Sequence, residues 1–152
     1  MSNLVLNRFE LNQYAILKQQ LIGLEESIRE VNDELAELNQ YNINVSPVYT
    51  GMPMGNEKRD KIAEYVIKLE NERNRLSLAL VTLIEERNAI KLRLRMIRAA
   101  VNKIPGKQLR DLIRWHFFDE LSIPDVADKG HITVTAVYKK MERFFIEDAM
   151  KK

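Results

Sequence analysis

The feature that most constrains the fold is an unbroken three-four alternation of apolar residues early in the chain: Tyr14, Leu17, Leu21, Leu24, Ile28, Val31, Leu35 and Leu38. That spacing is the a/d seam of a coiled coil, one apolar stripe on a long helix. Asn7, with Glu10 three positions on, suits the helix start, because an Asn side chain can accept from the first unpaired backbone N–H groups. The spacing predicts a helix over about residues 8–41, on the order of 50 Å long at 1.5 Å per residue. Pro47, Gly51, Pro53 and Gly55 then forbid continuous helix across a loop at 42–56. A second heptad follows over 57–103 through Ile62, Val66, Leu69, Leu76, Leu80, Leu83, Ile90, Leu94, Ile97 and Val101, with Arg73 and Arg87 in two seam positions. Ile104-Pro105-Gly106 ends it.

Two heptad helices joined by a turning loop fold back most simply as an antiparallel hairpin. Counting outward from Leu38 opposite Ile62 exhausts the first helix near Arg87. The second helix is therefore expected to overhang by roughly a dozen residues, beside the C-terminal segment. The spacing leaves open whether the seam closes within one chain or between two. The two seam arginines disfavour a buried parallel dimer along the whole second helix.

Charge is distributed unevenly. Residues 8–37 hold three basic groups against seven acidic ones, whereas residues 87–114 hold nine basic groups against Asp111 alone. An acidic arm and a basic junction form a dipolar layout that can orient a chain on a polyanion, which the net charge of +2 would not suggest. The chain has no Cys, so disulfides and thiolate metal sites are excluded. No apolar run reaches transmembrane length and the N-terminus lacks a signal pattern, so a soluble, cytoplasmic protein with no membrane partner is expected. His116 and His131 have no second His or carboxylate at metal-ligand spacing, and there is no Gly-rich phosphate loop or Ser/His/Asp set. No metal, no cofactor and no enzymatic activity are expected. In the loop, Tyr49, Met52 and Met54 stand where polar residues are usual. They suit a partner-contact tip as well as a cover over the hairpin end.

After Gly106 the elements shorten. Leu109, Leu112, Ile113, Trp115, Phe117 and Phe118 predict one helix ending near Asp119-Glu120. Ser122, with Asp125 three residues on and Pro124 in the first turn, opens a second, with Val126 and Ala127 facing inward. Gly130 is expected to supply a left-handed turn residue. Thr133 caps a third helix whose apolar stripe is Val137, Met141, Phe144 and Phe145. With that stripe inside, Val134, Thr135, Tyr138, Lys139 and Glu142 point outward, flanked by Lys140 and Arg143. Lys can donate to guanine, Thr can donate or accept, and Val can touch a thymine methyl, so this face suits a DNA major groove. Thr133, Lys140 and Arg143, with Arg110 and Arg114 of the basic junction, are the expected phosphate contacts.

The stretch "IPGKQLRDLIRWHFFDELSIPDVADKGHITVTAVYKKMERF" resembles the helix-turn-helix of region 4 of bacterial sigma factors. Ile104-Pro105, Phe117-Phe118-Asp119, Leu121-Ser122, Asp125-Val126-Ala127, Ile132-Thr133 and Ala136-Val137 align without a gap. Three positions depart: Glu120 stands where Gly is usual, Gly130 replaces an apolar residue, and His131 replaces the turn Gly. The whole layout, with its Ser46-Pro47 and Gly51-Met52-Pro53 loop, resembles the phage-encoded late-gene regulators of the ArpU/RinA type. The resemblance implies a bacterial host cell, double-stranded DNA as partner, contact with host RNA polymerase, and activation of late genes.

The expected fold is thus all-α, a long antiparallel helical hairpin (1–103) followed by a small helix-turn-helix domain (104–152). The expected function is sequence-specific transcription regulation, with self-association through the coiled-coil arm. The competing readings are a small-terminase-like packaging protein and a coiled-coil adaptor for other proteins. The DNA unit lying last in the chain argues against the first of these.

Overall fold

In the computed structural model, which describes residues 6–45 and 56–150, all regular structure is helical. Helix α1 spans Arg8–Val45 and α2 spans Asn56–Asn102. Lys107–Ile113 forms α3, which runs directly into a π-helical turn at Arg114–Phe118. Ile123–Gly130 is α4 and Val134–Met150 is α5. Tyr49, Met52 and Met54 lie outside the described residues. Among the described residues, no helix is long and apolar enough to cross a membrane.

Contacts divide the described residues into two compact units. One joins the start of α1, up to Ile22, with everything from Ala89 onward; the other holds the α1 and α2 residues between Gly23 and Asn88. The expected boundary at 103/104 lies inside the first unit.

The first unit is built on one apolar cluster. Leu11, Ile97, Val101, Leu112, Ile113, Val126 and Val137 are fully buried within it, alongside Leu6, Tyr14, Leu94 and Ile104. Asn7 starts α1 as expected, its Oδ1 accepting from the Glu10 backbone N–H at 2.8 Å. The Glu10 carboxylate does not turn back to the cap; it pairs with Arg93 of α2. Arg98 donates to the Tyr14 hydroxyl at 2.6 Å, and its guanidinium lies 5.6 Å from the centroid of that ring.

These contacts correct the expected register. The overhang counted from the heptads exhausted α1 by Arg87, yet Glu10 reaches Arg93 and Tyr14 reaches Arg98. Leu6 and Leu11 lie outside the regular seam that starts at Tyr14, and burying them against Ile97, Val101 and Ile104 carries the start of α1 up to the end of α2. The basic stretch is therefore partly covered by α1 and not left as a bare extension.

Trp115, His116, Phe117 and Phe118 are a run of four rings that a regular helix would spread around its axis. The π turn widens the helix by one residue here, with the Asp119 N–H donating to the Arg114 carbonyl at 3.0 Å. Phe118 stacks on Tyr14 at 4.1 Å and Phe117 meets Phe145 edge-on at 6.2 Å. His116 Nδ1 donates to the Leu121 carbonyl at 2.9 Å, a bond that places its proton on Nδ1 and ties the turn to the next segment.

The turn into α5 also differs from expectation. Gly130 is the last residue of α4, and the left-handed position is His131, with φ 56°. The Ile132 N–H reaches back to the Ala127 carbonyl at 3.0 Å, which makes this a Schellman ending. Glu120 is the second non-Gly residue with positive φ, at 58°. Each backbone takes a conformation that Gly adopts freely. Glu120→Gly and His131→Gly are each expected to raise stability by about 0.5–1 kcal/mol in urea unfolding. Gly130→Ala is expected to be neutral to mildly stabilising, because a methyl there meets Leu112 Cδ2 at 3.4 Å and Trp115 at 3.6 Å, ordinary contacts on a helical residue. A loss above about 1 kcal/mol for Gly130→Ala would instead identify Gly130 as the strained turn residue.

In the second unit Ile28 and Leu76 are buried, and Leu24, Val31, Leu35, Leu38, Leu69, Leu80 and Leu83 are half-buried. Arg73 and Arg87 are half-buried at their seam positions. Glu72 pairs with Arg75 on the surface of α2, which lowers the Glu72 carboxyl and raises the Arg75 guanidinium pKa; Glu34 of α1 adds a smaller push on Arg75 in the same direction. The depressed Glu72 contributes stability above its unfolded pKa and loses it as pH falls through the folded value. Solvent reaches both side chains, which are 63 and 43 % exposed, and screens the pair, so that contribution is small.

Candidate functional site

The α4–turn–α5 segment is set by short-range signals acting together. Ser122 Oγ accepts from the Asp125 N–H at 3.3 Å and Pro124 occupies the first turn, which fixes the start of α4. Thr133 Oγ1 accepts from the Ala136 N–H at 3.1 Å, which fixes the start of α5. Between them the left-handed His131 redirects the chain within three residues. Val126 and Ala127 on α4 and Val137 and Met141 on α5 are buried in the cluster with Leu112 and Ile113 of α3. Phe144 and Phe145 are half-buried beside them, and Phe145 also stacks under the Arg8 guanidinium, 5.1 Å from the ring centroid.

Burying that stripe decides what the rest of α5 presents. Val134, Thr135, Tyr138, Lys139 and Glu142 are all exposed, Val134 at 39 % and Tyr138 at 51 %. Arg143 is exposed one turn further on.

The residues expected to contact phosphate divide into two groups. Arg143 and Thr133 face solvent, the Thr133 hydroxyl also capping α5. Lys140 is half-buried and donates to Gln108 Oε1 on α3. Arg110 and Arg114 are half-buried, and both bind back to the end of α2: Arg110 Nη1 donates to the Asn102 carbonyl at 3.4 Å, and Arg114 donates to Asn102 Oδ1 while lying 3.8 Å from Asp111. These two therefore tie α3 and the π turn to α2, and phosphate would have to compete with those bonds.

Two further cations, Lys107 of the basic junction and Lys129 of α4, border one depression on the surface. Lys129 places its ammonium 5.1 Å over the Trp115 ring, and with Lys107, Gln108 and Asp111 it borders a shallow depression of ≈ 420 Å³. A second depression of ≈ 260 Å³ lies between Gln108, Leu109, Lys140, Arg143 and Phe144. Lys107 and Lys129 are brought together by the packing of α3 on α4, although 22 positions of sequence separate them. No protein-family model, curated protein or solved structure matches the chain.

Proposed function

We propose that the chain is a sequence-specific DNA-binding transcription regulator, a helical hairpin arm carrying a sigma-like helix-turn-helix in which α5 reads the major groove. The observation that carries this reading is the two-sidedness of α5. Val137 and Met141 are buried, while Val134, Thr135, Tyr138 and Lys139 stand open on the first two turns. Those side chains supply two methyl-bearing groups, a hydroxyl, a phenol and an ammonium, the donors and apolar contacts that base edges discriminate. Arg143 and Thr133 flank them for the phosphates, and Lys107 and Lys129 extend the positive border. Left-handed backbone at Glu120 and His131 further supports the helix-turn-helix reading. Activation of phage late genes and contact with host RNA polymerase extend it on the resemblance alone.

The test is selection of binding sites from a random DNA pool with the purified chain, followed by titration of variants on the selected site and on unrelated DNA. Tyr138→Ala and Lys139→Ala together are expected to lower preference for the selected site by about 100-fold, since each base contact is worth roughly 1–3 kcal/mol. Arg143→Ala is expected to weaken all sequences alike and to reduce the salt slope by about one. Unchanged site preference in the Tyr138/Lys139 double variant would remove α5 from the reading role.

A further inference from the structure

Helix α2 carries apolar residues on two opposite faces. One is the seam of Leu76, Leu80 and Leu83, buried or half-buried within the second unit. Half a turn around the helix, Ile67, Leu78 and Val81 are exposed at 57, 70 and 53 %. Asn71, Asn74, Glu85 and Asn88 complete that stripe at alternating spacings of four and three, and all four are exposed. Apart from Val66 in the seam and Tyr65 beside it, every exposed large apolar residue described in the Gly23–Asn88 unit falls on this stripe. Over the same unit α1 exposes no large apolar residue among those described. Leu78 and Val81 thus form an unpartnered coiled-coil seam on one helix only.

The order of the stripe identifies what covers it. About a point between Ala79 and Leu80, Leu78 mirrors Val81, Asn74 mirrors Glu85, and Asn71 mirrors Asn88. We propose that this face binds a second copy of the chain, antiparallel, about a two-fold axis passing between Ala79 and Leu80. An isologous interface needs a patch complementary to itself, and this one is so in both size and polarity. Leu78 packs on Val81 of the second copy, twice. Asn71 meets Asn88, amide to amide. Glu85 meets Asn74 and the adjacent Arg75, whose fork toward Glu72 uses Nε and Nη2 and leaves the Nη1 donors. A parallel in-register pair would instead set Glu85 against Glu85 in the seam, which is costly. The pairing stands independently of the DNA reading.

The test is light scattering of the full chain at micromolar concentrations, with cross-linking. The chain has no cysteine, so single thiols can be placed at will. The wild type is expected to be a dimer. Leu78→Glu is expected to raise its dissociation constant by at least about 100-fold, because each dimer loses two buried leucines. Leu78→Ser, which adds no charge, should weaken it in the same direction, and helix content by circular dichroism should stay unchanged in both. On oxidation, a mixture of Leu78→Cys and Val81→Cys chains should cross-link with each other in preference to either alone. A monomeric wild type, dimers of unaltered affinity in both Leu78 variants, or preferential cross-linking of Leu78→Cys with itself would each overturn the proposal.

Discussion

Residues 104–152 on their own are expected to be largely unfolded, with low helicity by circular dichroism and a collapsed amide proton spectrum. At about 50 residues such a fragment is already near the lower limit for a stable core. Here it also loses six buried neighbours: Leu6 just before α1, Leu11 and Tyr14 of α1, and Leu94, Ile97 and Val101 of α2, belong to the same cluster as Leu112, Val126 and Val137. At roughly 1.5–3 kcal/mol for each buried apolar side chain, their removal forfeits on the order of 10 kcal/mol. That is comparable to the whole stability of a small domain. A chain joining residues 1–22 to residues 89–152 through a flexible linker is expected to regain the fold, because it restores the complete cluster and loop closure costs little. A dispersed spectrum from the short fragment would show that α3, α4 and α5 suffice.

Tyr14→Ala in the full chain is expected to lower unfolding free energy by about 4 kcal/mol in urea titration, within the range for truncating a buried aromatic ring. Tyr14 is 4 % exposed, stacks on Phe118 and accepts a hydrogen bond from Arg98, so a single side chain joins α1, α2 and the π turn. Tyr14→Phe keeps the ring and loses the hydroxyl, and should cost about 1 kcal/mol, the usual net worth of one hydrogen bond. The difference between the two variants measures ring packing against polar pairing. An alanine cost near that of the phenylalanine variant would mean that the start of α1 is not held by this cluster.

Much of the local structure was legible in the residues. Heptad spacing placed α1 and α2 within a few residues of their ends, and Pro105 with Gly106 marked where α2 stops. Asn7, Ser122 and Thr133 each accept the N–H three residues on, as cap positions should. The inward set of Val126, Ala127, Val137 and Met141 followed from helical periodicity alone. Such features depend on neighbours within one or two turns, and one chain segment contains all the information about them.

The misreadings share a different cause. Gly130 looked like the turn residue because glycine adopts positive φ without cost, yet His131 takes that conformation and Gly130 stays helical against Leu112 and Trp115. Packing of α4 on α3 outweighed the local preference. The four-ring run of Trp115–Phe118 gave no sign of a π turn, because the widening serves contacts with Tyr14 and Phe145 that are distant in sequence. Asn102 and Gln108, the partners of Arg110, Arg114 and Lys140, likewise become visible only when α2, α3 and α5 are assembled.

By itself, the sequence determined that the chain is helical, where its helices begin and end, and which face of each is apolar, since 3.5- and 3.6-residue periodicity and capping act locally. Only the tertiary structure decided that the start of α1 belongs to the same core as α3, α4 and α5, and which cations remain turned to solvent. A heptad specifies a stripe but not its register against another stripe. That register was settled by burial of Leu6, Leu11 and Tyr14 against residues some eighty to ninety positions away.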